Sequence, residues 1–360
     1  MIHQIFSVQD ATIYEDTLLR EMNTGLDTGL EINKVVSTAG SNHVTRPLLK
    51  FDLSELSASI VSGEITNPRC YLMLSALEGT EIPINYNLYV YPVSGSWAMG
   101  SGRRFNEPIT TNGVSWKWRN NTELWATGSY SGNSTGSYAL NEGGGNWYTG
   151  SGYEASQSFN YSSPDTRIDV TDIVNKWLDG TIPNDGFVVK RSDSDETNKD
   201  EMGSLTFFSQ ESNTMYIPKL QIGWNNSSFI TGSLLPLTAE NKVVYTKGLK
   251  KHIKTNSKIK IRIAGRPKYP QRTFATSSAY RDTQYLPETT YYAIKDTVTE
   301  DVIIPFDDNY TKVSCDESGN YFDFWTTGFL PERYYKFIFK MVDGAYEEYI
   351  DGGFYFKVVR

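Results

Sequence analysis

Residues 165–190 read DTRIDVTDIVNKWLDGTIPNDGFVVK. This is the one stretch with a clear helical period in a chain that otherwise reads as strands and turns. Val170, Ile173, Val174, Trp177 and Leu178 fall at i, i+3, i+4, i+7 and i+8, which makes one apolar stripe. Asp169 or Thr171 is placed to accept from the first free N–H groups. Gly180 stands where a left-handed residue ends a helix, and Pro183 stops it from resuming. Asn184-Asp185-Gly186 is a turn signal and Phe187-Val188-Val189 a strand. A helix of two turns is not stable alone. It must lay Trp177 on a sheet, so it is expected to close one end of a β-sandwich.

Outward from that stretch, the chain alternates as strands do. RPLLKFDL at 46–53 turns Lys50 and Asp52 outward, and Ser54-Glu55-Leu56 reads as a turn. EITNPRCYLMLSAL at 64–77 and NYNLYVYPVS at 85–94 are further strands. Residues 95–160 change character, with Gly, Ser and Asn around Trp97, Trp116, Trp118, Trp125 and Trp147. That segment is too long for an ordinary connection. It reads as a structured excursion of short β-pieces anchored by aromatic side chains. After 190 comes an acidic loop, RSDSDETNKDEMG, then the strands SLTFFSQ and MYIPKLQIGW.

Asn225-Asn226-Ser227-Ser228 marks a boundary. The expected organisation is a β-sandwich over 1–224 with the excursion 95–160, a linker at 225–232 and a second sandwich over 233–360. Seven strand-like runs in the last part suit an immunoglobulin-like arrangement, without the Cys…Trp…Cys spacing of antibody domains. The fold class is therefore all-β: a jelly-roll-like β-sandwich with one short helix, followed by an immunoglobulin-like β-sandwich.

Composition narrows the function. The 360 residues carry a net charge of −8, which argues against a nucleic-acid partner. Aromatic residues make up 14 %, which suits twisted, half-buried strands. Two cysteines, Cys70 and Cys315, do not make a disulfide framework, and no zinc spacing occurs. The start MIHQIFSVQD has no basic stretch before an apolar core, so no secretory signal is expected. No run is apolar enough to span a membrane. A composition of extracellular character without an export signal suits a protein of a virus particle. Asn-x-Ser/Thr triplets such as those at Asn120, Asn133 and Asn160 are then expected to be chance products of an Asn- and Ser-rich chain.

Catalysis has little to stand on. His3, His43 and His252 lie at a terminus, in a polar loop and among lysines, and none accompanies a nucleophile-elbow motif. Glu15, Glu107 and Glu142 are carboxylates that a glycosidase pair would need, but nothing selects them. The acidic loop holds Asp193, Asp195, Glu196, Asp200 and Glu201. Its spacing is not that of an EF-hand, and a solvated loop is the better reading than a Ca²⁺ site. The basic cluster from Lys247 to Lys268 is read first as a strand with a solvated cationic face, and second as a meeting point for an acidic partner. No catalytic residue, metal ligand or cofactor is expected. Trp97, Trp125 and Trp147 are the candidate contacts to a protein partner or a glycan, because aromatic faces stack on sugar rings and fill pockets.

The ordered set Asp10-Ala11-Thr12, Leu19-Arg20-Glu21, Arg46 with Leu48-Leu49-Lys50-Phe51-Asp52-Leu53, Leu88-Tyr89-Val90, Gly113-Val114-Ser115-Trp116, Asp169-Val170-Thr171 with Trp177, and Gly186-Phe187-Val188-Val189-Lys190 resembles the DNRLRE-domain family. That resemblance covers about residues 1–224 and implies a sandwich related to carbohydrate-binding modules. The enlarged 119–160 excursion departs from the family pattern. Tyr310 to Asp316 and Pro331 to Phe337 resemble C-terminal regions of structural proteins from tailed, T4-like bacteriophages. Together the resemblances imply a non-enzymatic protein of the particle's neck, tail, baseplate or fibre attachment. Its partners would be other virion proteins and copies of itself. The alternatives are an adhesin for host surface glycans and, behind it, a polysaccharide-degrading enzyme.

Overall fold

The computed structural model describes residues 1–37, 40, 42–125, 134–135, 143–160, 164–270, 283–344 and 346–360. It is all-β, with nearly all of its regular structure in strands. The chain divides into two compact units: Ile5–Glu64 with Arg69–Gln221, and Ile222–Arg360 with Met1–Gln4 and Ile65–Pro68.

The N-terminal unit is built on one large, wrapped sheet. Its main path runs Ala155–Asn160, Asn85–Pro92, Phe187–Lys190, Asn42–Phe51, Ile2–Tyr14, Lys219–Gly223, Arg69–Leu74 and Thr166–Asp169. From Asn42–Phe51 it also branches through Gly29–Val36 and Gly203–Phe208 to Ala76–Thr80 at an edge. Neighbours around Asn42–Phe51 are antiparallel, so inward positions such as Leu48 and Val188 stand side by side.

Among the described residues three α-helices interrupt the strands: α1 (Ser54–Val61), α2 (Thr171–Leu178) and α3 (Asp193–Thr197). Only α2 matches the sequence expectation. Ile173, Val174 and Trp177 are buried, and Gly180 takes φ of 77° just past the end. The Trp177 ring lies 4.5 Å from Phe187, which meets Phe51 edge-on. The start differs from expectation. Val170 occupies the cap position, and Asp169 Oδ1 accepts from the N–H of Thr171 two residues on. Asp169 therefore shapes the turn into the helix rather than capping it. The Thr171 hydroxyl accepts the Cys70 N–H at 2.9 Å, tying the same turn to Arg69–Leu74.

Ser54-Glu55-Leu56 opens helix α1 where a turn was expected. Asp52 accepts the Ser54 N–H, and the helix buries Leu56 and Ser59. Within the acidic loop, Ser192 caps α3 by accepting from Asp195.

The C-terminal unit is a sandwich of two sheets. One holds Lys258–Pro267 and Gly319–Trp325 at its centre, the other Tyr334–Asp343 between Thr290–Asp296 and Tyr346–Val359. All seven expected strand runs are present. The interior is aromatic: Tyr292 stacks on Phe322 at 4.4 Å, and Phe324 meets both Phe337 and Phe356 edge-on. Phe322 with Phe324, Phe337 with Phe339 and Phe354 with Phe356 are all i, i+2 pairs, so the strand period alone points each pair inward.

Candidate functional site

The three candidate contact tryptophans lie inside. Trp97, Trp125 and Trp147 are 6 %, 1 % and 2 % exposed and pack with Trp116, Ile13, Leu48 and Val188 in one core cluster. Trp97 donates its ring N–H to Asp185 O at 2.8 Å, and Trp125 to Ser115 O at 2.9 Å. Trp147 and Trp116 sandwich the Arg46 guanidinium, at 5.1 and 4.7 Å from their ring centres. The expectation that these rings meet a glycan or partner is corrected on this ground. No ring face is open, and a sugar could stack there only by opening the core.

Arg46 also explains the acidic loop. It is 1 % exposed and forms a fork with Glu196, with Nη2 to Oε2 at 2.6 Å and Nε to Oε1 at 3.2 Å. Its Nη1 donates to Gly144 O. Lys190, fully buried, stands 3.1 Å from Glu196 and also pairs with Asp193. Two of the five acidic side chains are thus consumed by buried cations. Among the described residues no group of three or more His, Cys, Asp or Glu is placed to share a metal ion.

Other candidates scatter. His3 stacks on Trp325 at 4.8 Å, His43 faces Asp16 at 3.4 Å, and His252 is exposed on a strand. Glu15 is buried and accepts the Val44 N–H. Burial raises its carboxyl above the ordinary value, partly offset by Arg46. Glu107 is exposed. Glu142 and Asn133 lie outside the described residues.

The basic cluster divides in two. Lys258, Lys260 and Arg262 lie on one strand face and are matched there. Arg262 makes two bonds to Asp316 at 2.8 Å, Lys258 faces Asp323 at 3.9 Å, and Lys260 covers the Tyr321 ring at 4.0 Å. Lys250, Lys251 and Lys254 are exposed and have no carboxylate partner among the described residues.

One surface feature escaped the sequence reading. Thr17, Leu18, Arg20, Glu21, Ile109 and Lys117 line an open groove of about 470 Å³. Asp16 Oδ1 takes the Leu18 N–H and shapes the turn that leaves Leu18 82 % exposed. The opposite wall is held by Asn23, which is wholly buried. Its amide donates to Met99 O at 2.7 Å and Val114 O at 2.8 Å, and its Oδ1 accepts from Gly102 at 2.8 Å. Asn23 also gives its backbone N–H to Thr110 O, next to Ile109. A Cβ on Gly113 would stand 2.5 Å from Gly100 Cα, so that close passage requires glycine. Lys117 bonds Glu21 at 2.6 Å, and this bond holds the Glu21 carboxyl below its ordinary value. The Leu19-Arg20-Glu21 segment of the family resemblance therefore supplies two of the lining residues. A buried Asn beside glycines, in MNTGLDTGL, was the available signal. The groove combines apolar Leu18 and Ile109 with charged Arg20, Glu21 and Lys117.

No family model matches the chain, and no curated protein matches it. Among solved structures, the crystal structure of a DUF4785 family protein from Legionella pneumophila aligns over 99 % of this chain at 10 % identity, with a TM-score of 0.16. The chain spans 62 % of that protein's length, and at that TM-score the likeness carries no argument about fold or function.

Proposed function

We propose that the chain is a non-enzymatic structural protein of a tailed bacteriophage particle, acting by packing against neighbouring virion proteins. The observation that carries this reading is the Leu18–Ile109 groove, a surface that sets exposed Leu18 and Ile109 among Arg20, Glu21 and Lys117, in a loop that Asn23 clamps from within. A pre-formed surface of this kind binds without first ordering a loop. The phage assignment is supported by the sequence resemblance of residues 310–316 and 331–337, and the DNRLRE resemblance supports a sandwich used as an appended module. The adhesin alternative loses its named residues, since Trp97, Trp125 and Trp147 fill the core.

The test is incorporation. Particles assembled with the wild-type chain should retain it after gradient purification, and cross-links from Lys117 should reach a second virion protein. Leu18→Asp with Ile109→Asp should fold normally and lower incorporation by at least about tenfold, as expected when charge replaces the two apolar side chains that binding buries. A chain recovered only as free monomer, from solution and from particles alike, overturns the reading.

A further inference from the structure

We propose that a second copy of this chain docks through its Ala76–Thr80 edge strand onto the lysine-rich segment that ends in the His252–Lys254 edge strand. Both strands lie at the edge of their sheets. Ala76–Thr80 pairs only with Gly203–Phe208, and His252–Lys254 pairs only with Tyr346–Val359, among the described residues. An unpaired edge offers its N–H and C=O groups to another strand. Here Ala76 N–H already donates to Asp165 and Lys254 O accepts from the Ser257 and Thr326 hydroxyls, so the pairing would use the other backbone groups of the two strands.

The two edges carry opposite charge. Around His252–Lys254 stand Lys250, Lys251 and Lys254, all exposed, while the adjoining Glu332 is already neutralised by Lys357. Lys247 is exposed too, and among the described residues it donates to the Thr283 hydroxyl and pairs with no carboxylate. On the other edge, Glu78 and Glu81 are exposed and make no ion pair with a described residue. Leu77 and Ile84 beside them are 49 % and 55 % exposed, so this edge has apolar surface to bury. Charge is what names the occupant. The chain is −8 overall, and these four lysines contribute +4, so the remainder of every copy is −12.

Like-with-like pairing is disfavoured. Two His252–Lys254 edges would set lysines against lysines, and two Ala76–Thr80 edges would set Glu78 against Glu78. Only the mixed pairing places Lys254, which shares a strand face with His252, beside a glutamate. The contact is therefore head-to-tail, joining different surfaces of successive copies.

The bland alternative is that the lysines merely keep the edge single. Charge exchange separates the two. Sedimentation velocity of the full chain at low salt should show concentration-dependent association that weakens as salt rises. Lys250→Glu/Lys251→Glu/Lys254→Glu and Glu78→Lys/Glu81→Lys should each weaken it at least about tenfold. An equimolar mixture of the two variants should associate again, because each then supplies the complement the other needs. If either variant is misfolded by circular dichroism, the corresponding Lys→Gln or Glu→Gln set replaces it, and loss of association is read from that set. A wild type that stays monomeric, or variants that associate as wild type does, overturns the proposal, as does a mixture of folded charge-reversal variants that remains monomeric. The Leu18–Ile109 groove is untouched by these changes, so particle incorporation reports on that groove separately.

Discussion

Asp10 is 1 % exposed, and its Oδ2 accepts the Gln210 N–H at 2.8 Å and the Ser7 hydroxyl at 3.3 Å. Burial pushes its carboxyl up from 3.8 to about 7, with Glu211 adding to the rise, although both donors oppose it. An unfolded Asp releases its proton near pH 4. Below that both states are protonated and the group costs nothing. As pH rises toward 7 the folded chain still holds a proton that the unfolded chain has released, so stability falls across this window. Above about 7 the carboxylate is ionised in the fold and the whole penalty applies. Asp10→Asn removes the titration while leaving an oxygen for Gln210. Denaturant melts from pH 4 to 8 should show a flatter profile for the variant, with the difference reaching on the order of a few kcal/mol. Parallel profiles would falsify this account of Asp10. The sequence marked Asp10 only as part of a family resemblance and not as a buried carboxyl, because burial of a single carboxyl depends on strands far away in the chain.

At the scale of elements, α2 is the piece on which the N-terminal sandwich closes. Its eight residues bury one face, and Trp177 with Phe187 forms the contact. Trp177→Ala should cost about 3–5 kcal/mol, read as a lowered urea midpoint with unchanged slope. Normal stability combined with failed particle incorporation would instead place this helix at an interface. The helix was legible because its period, its glycine stop and its proline agree. The C-terminal strands were legible for a similar reason, since phenylalanines two apart can only share one face of a strand. Two kinds of element were not. Helix α3 has five residues and no apolar stripe, and it is fixed by Ser192 and by the pairing of Glu196 with Arg46, a partner 150 positions away. Residues 64–77, expected as one strand, hold Arg69–Leu74 and the start of a separate edge strand, a division that depends on pairing partners rather than on local pattern. The candidate site followed the same rule. Five tryptophans in one excursion announce buried area, but not whether chain or ligand covers it. Arg46 settles that, by lying between Trp116 and Trp147.

At the scale of the whole molecule, the first four residues fold with the last part of the chain. Composition placed them in a sandwich over 1–224, and MIHQ carries no pattern to suggest otherwise. Yet His3 stacks on Trp325, Gln4 donates to Ile303 O at 3.3 Å, and Met1 O accepts the Trp224 N–H at 3.0 Å. The strand Ile2–Tyr14 thus begins in one unit and continues in the other. A chain organised this way makes its C-terminal sandwich depend on residues more than 200 positions upstream, which are the contacts costliest in loop closure. His3→Ala with Gln4→Ala removes an aromatic stack and a buried hydrogen bond, and about 2–3 kcal/mol should be lost from the unit that holds Trp325. Hydrogen exchange resolved by peptide locates the loss. Amides of Gly319–Trp325 and Tyr334–Asp343 should exchange faster by a factor of roughly 30–100, while those of Asn42–Phe51 keep their wild-type rates. Faster exchange confined to Asn42–Phe51 would mean that the first residues belong energetically to the N-terminal sandwich after all.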